Sequence, residues 1–447
     1  MTSRGIVTGL GRGIVGARRR GLSAAAASVQ KSASHSPLTT VSTLPNGMRV
    51  ATENTNLPTA TIGVFIDAGS RYENDANNGT AHFLEHMAFK GTSRRSRHDL
   101  ELEVENIGAH LNAYTSREQT VYYAKCFSHH LERSADILSD ILLHSQLHER
   151  DISAERSVIL READEVAQDL REVVFDELHE AAFAGTPLAY TILGPAQNIK
   201  TISRNDLSTY IKTHYKARRM VLAASGGVDH SHDYLIAGKY KACETKRPVP
   251  EMHDVYGAIC VEGLSWTHEH NLTMMVANTI LGEWDRARGS NLSVPTKLQV
   301  AAMQTEGVNS FQAFNTCYKD TGLIGVYYVA KEDAARKLLD AIVESWRWLA
   351  YEVDKDTVER AKRTLLTNLI LMLDGSTPVT EDMGRQLLCY GRRIPLEELK
   401  LRVDAITVDV LREVCRERLL NCKLATTVVG RVQAVPSNAE LEAALRK

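Results

Sequence analysis

Residues 81–89 read Ala81-His82-Phe83-Leu84-Glu85-His86-Met87-Ala88-Phe89. As a helix, this stretch puts His82 and His86 one above the other on a single face, the spacing at which two imidazoles reach one tetrahedral metal. Glu85 lies beside that face, three residues after His82. A carboxylate there can take a proton from a water held at the metal without being a ligand itself. Chance would produce His-x-x-Glu-His roughly once in thirty chains of this composition, so the pattern needs support. A catalytic zinc usually takes three protein ligands and leaves one position open, and the third must come from elsewhere in the chain.

Working outward, Thr80 is placed to cap this helix, and Gly91 to end it. Upstream, Met48–Thr52 and Thr59–Ala68 alternate around the Pro45-Asn46-Gly47 turn signal and read as a hairpin or paired strands. Downstream come a helix over 97–107, two strands within 111–126 around Ser116-Arg117-Glu118, and a helix over 131–144. A helix capped by Ser153 then continues with interruptions to about residue 182 and is rich in carboxylates. Most of these acids read as a solvated face. Glu155 and Glu162 are seven apart and so share a side, as a metal ligand and a carboxylate supporting it would.

The chain carries an internal repeat. GAHLNA at 108–113 answers GVNSFQA at 307–313, Val121-Tyr122-Tyr123 answers Val326-Tyr327-Tyr328, and Glu155-Arg156 answers Glu359-Arg360. The nearly constant offset argues for duplication of one domain of about 200 residues, which suits a chain too long for one ordinary core. The second copy has Leu366 in the place of Glu162 and no His-x-x-Glu-His. Only the first half can hold metal by this reading.

Composition is that of a globular protein, 43% hydrophobic and 24% charged. No run approaches the roughly eighteen apolar residues of a membrane span. Seven scattered cysteines without Cys-x-x-Cys spacing read as buried thiols in a reducing compartment. Residues 1–30 are rich in Arg and Ser and free of acid, the signature of a mitochondrial presequence. Removing their five arginines takes the formal charge from −2 to −7. An acidic mature chain argues against nucleic acid and suits a basic partner or substrate. His230, His232, His253, His268 and His270 share no helical face and read as solvated.

His82-x-x-Glu85-His86 with Glu162 after seventy-five intervening residues resembles the inverted zincins of pitrilysin and insulinase type. The flanking text, AHFLEHMAFKGT at 81–92, GAHLNAYTSREQTVYYAK at 108–125, ERSVILRE at 155–162 and EVVFDELH at 172–179, is similar to the zinc-bearing subunits of that family that process mitochondrial presequences. The resemblance runs to DGSTP at 374–378 and GRRIP at 391–395.

It implies an α+β fold of two homologous domains, each an antiparallel sheet packed with helices. Residues 1–30 would be the presequence, 40–235 the zinc-binding peptidase domain, 236–260 a linker shorter than the family's, and 261–440 an inactive homologous domain. It implies one zinc per chain on His82, His86 and Glu162, with Glu85 as general base and Glu155 supporting the ligands. Glu172 and Asp176 would hold the arginine before the cleavage site, and two carboxylates within one helical turn suit a guanidinium. Phe89 would line the pocket for the residue after the cut. Asn112, Ala113 and Tyr114 would offer a strand edge to the substrate, and Tyr318 a hydroxyl to the oxyanion. The implied partners are a homologous alpha subunit and presequence peptides, in the mitochondrial matrix or peripheral to the inner membrane. The alternative is a structural core subunit of respiratory complex III, whose members share the fold and often lack the ligands.

Overall fold

The computed structural model describes residues 39–228, 244–249, 251–288 and 295–446. The presequence reading of 1–30, Cys243, His230 and His232 lie outside the described residues. The first half forms a sheet from β1 (Thr39–Thr43), β2 (Arg49–Asn54), β3 (Thr59–Ile66), β4 (His110–Thr115), β5 (Thr120–Phe127) and β6 (Met220–Gly226), in the order β1-β2-β6-β3-β5-β4. The second uses β7 (Glu244–Pro248), β8 (Asp254–Glu262), β9 (Glu283–Asp285), β10 (Val308–Cys317), β11 (Gly322–Lys331) and β12 (Ala425–Gly430), in the order β7-β12-β8-β11-β10-β9. Laid against each other, β2-β6-β3-β5-β4 matches β7-β12-β8-β11-β10, which is the duplication seen as topology.

Several expectations change here. The sheets are mixed, because β2 pairs parallel with β6 and β7 parallel with β12. A strand that returns after a long helical excursion can enter in either direction, whereas a short hairpin permits only one. The Pro45-Asn46-Gly47 turn joins β1 to β2, with Gly47 at φ +86°, and β6 separates β2 from β3. The described part of the expected 236–260 linker is largely strand, since β7 and most of β8 fall within it, and the second sheet has six strands among the described residues. Pro248 is tolerated because β7 is an outer strand. Beyond 430 the chain still packs: the helix Asn438–Leu445 buries Leu441 and Leu445 in the second-half core.

Each half covers the other's sheet with one helix. Leu170–Ala182, from the first half, sets Val174, Leu178 and Ala182 against Ala258, Cys260, Leu323 and Val429. Ser376–Tyr390, from the second, sets Met383, Leu387 and Leu388 against Ala51, Phe65, Val121 and Val221. Gly384 lets this second helix approach, since a Cβ there would lie 2.4 Å from the buried Phe65 ring. Gly384→Val is therefore expected to cost about 1–3 kcal/mol of stability through overpacking, read as a lower denaturant midpoint. An unchanged midpoint would contradict this account of the glycine.

Ion pairs tie the halves together as well. Lys319 reaches across to Asp67 and to the Tyr72 hydroxyl at 2.8 Å, while Arg71 pairs with Glu118 and with Asp320 at 2.9 Å. Burial pushes the Lys319 amine down to about 7. Charges this buried, once paired, tolerate little relative movement of the halves, because separating them leaves each uncompensated.

Candidate metal centre

The motif helix spans Thr80–Met87 and buries Phe83, Leu84 and Met87 in the first-half core with Ile62, Val64 and Ile141. Its cap differs from the expectation. Gly79, in the left-handed region at φ +103°, is the capping residue, and the Thr80 hydroxyl donates to Asn77 C=O. The free N–H groups are met by Glu73: Gly79 N–H donates to one carboxylate oxygen at 2.9 Å, and Ala81 N–H to the other at 2.6 Å. The Asn78 amide adds a third bond at 2.9 Å. A buried carboxylate at a helix N-terminus is a favourable charge in a costly place, and burial raises Glu73 to about 7.

The second carboxylate-bearing helix starts at Glu149, before Ser153, and ends at Val166. Leu170–Ala182 is a separate helix capped by Asp169, whose side chain accepts from Arg171 and Glu172 N–H. The first of these runs against the motif helix, bringing the sequence-distant Glu162 to the two histidines. Glu162 Oε1 lies 3.6 Å from His82 Nε2, and Oε2 lies 3.1 Å from His86 Nε2. The imidazoles meet edge to face with centroids 4.7 Å apart, and one donor atom from each of the three residues lies within 4.8 Å of the others. The two imidazoles, His82 foremost, hold the Glu162 carboxyl below its ordinary range.

Two imidazoles and a carboxylate converging this closely fit a divalent ion of zinc's size. His82 Nδ1 is buried without a partner among the described residues. Glu155, itself buried, stands behind His86, its Oε2 3.3 Å from Nδ1. Lys90, which the motif reading missed, binds the other oxygen of Glu155 at 2.6 Å. Its signal was its place four residues after His86. Glu85 is half-buried, and its carboxylate makes no hydrogen bond or ion pair with a described residue.

Around this centre, β4 is the outer strand of its sheet and packs beside the motif helix. Asn112 is exposed, its amide donating to the Tyr123 hydroxyl at 3.0 Å, while its oxygen accepts Ala113 N–H at 2.9 Å. Tyr114, on the same face of the strand as Asn112, packs toward the Ser376–Tyr390 helix cluster, and Ala113, on the other face, packs on the first-half core. In the second half β9 covers the equivalent edge of β10. Phe89 is half-buried at the end of the motif segment, against the first-half core. Glu172 is exposed, and Asp176 is held by Arg117 at 2.7 Å. Tyr318 is placed otherwise than expected: its hydroxyl lies 2.6 Å from His179 Nε2, and the side chain is buried with Val174, Leu178 and Phe183 between the halves. That contact belongs to inter-half packing, which no spacing in the sequence encodes.

The second half shows what loss of the ligands does. Its helix Asn271–Leu281 packs on Lys355–Met372, and Met274, Val276, Ala277 and Leu365 there join one apolar cluster with Leu366 packed against it.

A peptidase fold with a His-His-Glu centre in one half and an apolar counterpart in the other is the class defined by these features. The chain belongs to the insulinase family of peptidases (family M16), whose model matches residues 49–196, and the M16 inactive-domain model matches residues 233–365. It is thus a metallopeptidase chain with its chemistry in the first half. Among its relatives, mitochondrial-processing peptidase subunit beta of Caenorhabditis elegans is 57% identical over 437 residues, covering 94% of this chain and 95% of the relative. The rat protein of the same name (Rattus norvegicus) is 49% identical over 421 residues, covering 90% of this chain and 86% of its own. A chain of complex III2 from Candida albicans, solved with Inz-5 bound, matches with a TM-score of 0.78 at 20% identity, over 92% of this chain and 99% of that one. That last likeness speaks to the fold alone.

Lys90 carries an expectation of its own. Removing its charge frees the Glu155 carboxylate to swing from His86, so Lys90→Met should weaken divalent-metal affinity about tenfold, the lower end for groups that orient ligands. Chelator competition measures it, and unaltered affinity would leave Lys90 without this role.

Proposed function

We propose that this chain is the catalytic, zinc-bearing subunit of a heterodimeric endopeptidase that removes presequences from precursors imported into the mitochondrial matrix, working with a homologous alpha subunit. The observation that carries the reading is the unbonded Glu85 carboxylate one helical turn from His82, beside three converging donor groups. The 57% and 49% identities to subunits named for mitochondrial processing supply the substrate class.

His82, His86 and Glu162 would hold the zinc, and Glu155 would orient His86. When bound, the zinc would polarise the scissile carbonyl and make a neighbouring water more acidic. Glu85 takes the proton from that water as it attacks, then returns it to the departing amine. The free edge of β4, at Asn112, Ala113 and Tyr114, orders an unfolded peptide as an added strand. Phe89 offers an apolar wall to the residue after the cut. Glu172 and Asp176, four apart on one helix, receive the presequence arginine. Tyr318, read as a hydroxyl for the oxyanion, is engaged by His179 and would serve the oxyanion only by giving up that contact.

The test is cleavage of presequence peptides by the purified pair of subunits. Glu172→Ala combined with Asp176→Ala should lower kcat/KM at least tenfold on peptides with arginine before the cut and spare those without it. Equal loss on both peptides would remove the two acids from substrate recognition. Failure of the intact pair to cleave any presequence would sink the proposed function.

A further inference from the structure

One of the two acids read as receiving the substrate arginine already has a guanidinium. Arg117 Nη2 lies 2.7 Å from Asp176 Oδ1. Arg117 is buried, its side chain only 10% exposed, whereas the Asp176 side chain is 30% exposed and Glu172 is open to solvent. The contact joins residues 59 apart, so it belongs to the tertiary fold and not to the helix.

The backbone of Arg117 is held in place independently of Asp176, while its guanidinium bonds Asp176 and leaves Nε buried without a partner among the described residues. Its carbonyl accepts Arg71 N–H at 2.8 Å, and Ser116 closes the turn by bonding Gln119 C=O through N–H and hydroxyl. Gly69 lets this turn approach, since a Cβ there would meet Ser116 C=O at 2.2 Å. The next residue, Glu118, is fixed by Arg71. His179, one turn past Asp176, is kept neutral by burial and then by the Arg117 charge. Among His179, Tyr318, Arg117 and Asp176, the only charged pair is therefore Arg117–Asp176.

From this geometry we infer that Arg117 is a positioning residue for arginine selectivity, occupying one oxygen of Asp176 so that the other oxygen and Glu172 form a fixed acceptor for a single guanidinium. The inference rests on Glu172 and Asp176 receiving the substrate arginine. Two unpaired carboxylates would attract any cation by charge alone, lysine as strongly as arginine. With one oxygen engaged, Asp176 cannot rotate freely, and the pair presents a net charge of one, matched to one incoming cation. A planar fork of donors gains from fixed acceptors, whereas a point-charge ammonium gains little.

The experiment compares peptides that differ only in arginine or lysine before the cut, using the two-subunit enzyme. Arg117→Gln should narrow the arginine-to-lysine ratio of kcat/KM about tenfold, mainly because KM for the lysine peptide falls, with kcat on the arginine peptide kept within about twofold. Arg117→Lys, retaining charge without the fork, should give an intermediate ratio. Melting temperature and metal content identify a variant that has merely been destabilised. An unchanged ratio with equal loss of kcat/KM on both peptides would overturn the inference and leave Arg117 a structural support. Glu172→Gln with Asp176→Asn separates the two claims. If the acids receive the arginine, this double variant has already lost the preference, and Arg117→Gln adds no further narrowing to it. If the double variant keeps the wild-type preference, the reading of the acid pair is wrong and this inference falls with it.

Discussion

Glu85→Gln is expected to lower cleavage by about two to four orders of magnitude, the usual contribution of a general base, while leaving bound metal unchanged. The amide has nearly the carboxylate's shape but cannot accept the proton of an attacking water. Nothing else in the fold depends on the charge, because Glu85 makes no hydrogen bond or ion pair with a described residue. Its neighbours depend little on it either: burial is the main influence that pushes the Tyr122 and Tyr215 hydroxyls up, and the Glu85 charge only adds to it. The variant should therefore melt no lower than the parent. Cleavage within tenfold of the parent, with metal content intact, would exclude Glu85 as the base.

Glu162→Ala should abolish cleavage by a different route, and the two variants can be told apart. Removing the third donor leaves two imidazoles, too few for a tightly held catalytic ion, so metal content after dialysis should fall to background. The apo fold should hardly notice, because the Glu162 side chain is 38% exposed and alanine favours a helix. Stabilisation by added metal should disappear. For the parent at a hundredfold excess over its dissociation constant that gain is about 2.7 kcal/mol, visible as a raised melting temperature. A Glu162→Ala chain that keeps stoichiometric metal and this thermal shift would show that His82 and His86 have another partner.

The candidate donors within each helix were legible because their spacing is local physics, whereas the meeting of Glu162 with the histidines is tertiary. A helix puts His82, Glu85 and His86 on neighbouring positions whatever surrounds it, and Glu155 and Glu162 share a face by the same rule. The buried thiols were also correctly read, with five of the six described cysteines buried and Cys422 partly so. What failed depended on partners far along the chain. Thr80 looked like a cap, yet the helix is capped through Glu73, a carboxylate brought back by the intervening loop. Residues 236–260 looked like a linker because a parallel pairing with β12, nearly two hundred residues on, leaves no alternation of its own to read.

The sequence by itself determined the duplication of a strand-and-helix domain and the confinement of the candidate donor residues to the first half, because each rests on periodicity or on presence and absence of residue types. Only the tertiary structure decided how the halves are used. It exchanged the helices Leu170–Ala182 and Ser376–Tyr390 between sheets, drew Tyr318 to His179, set Lys90 behind Glu155 and placed Arg117 on Asp176. Buried charges and hydroxyls must find partners wherever the fold provides them, and those partners are fixed by packing between segments whose order in the chain carries no record of it.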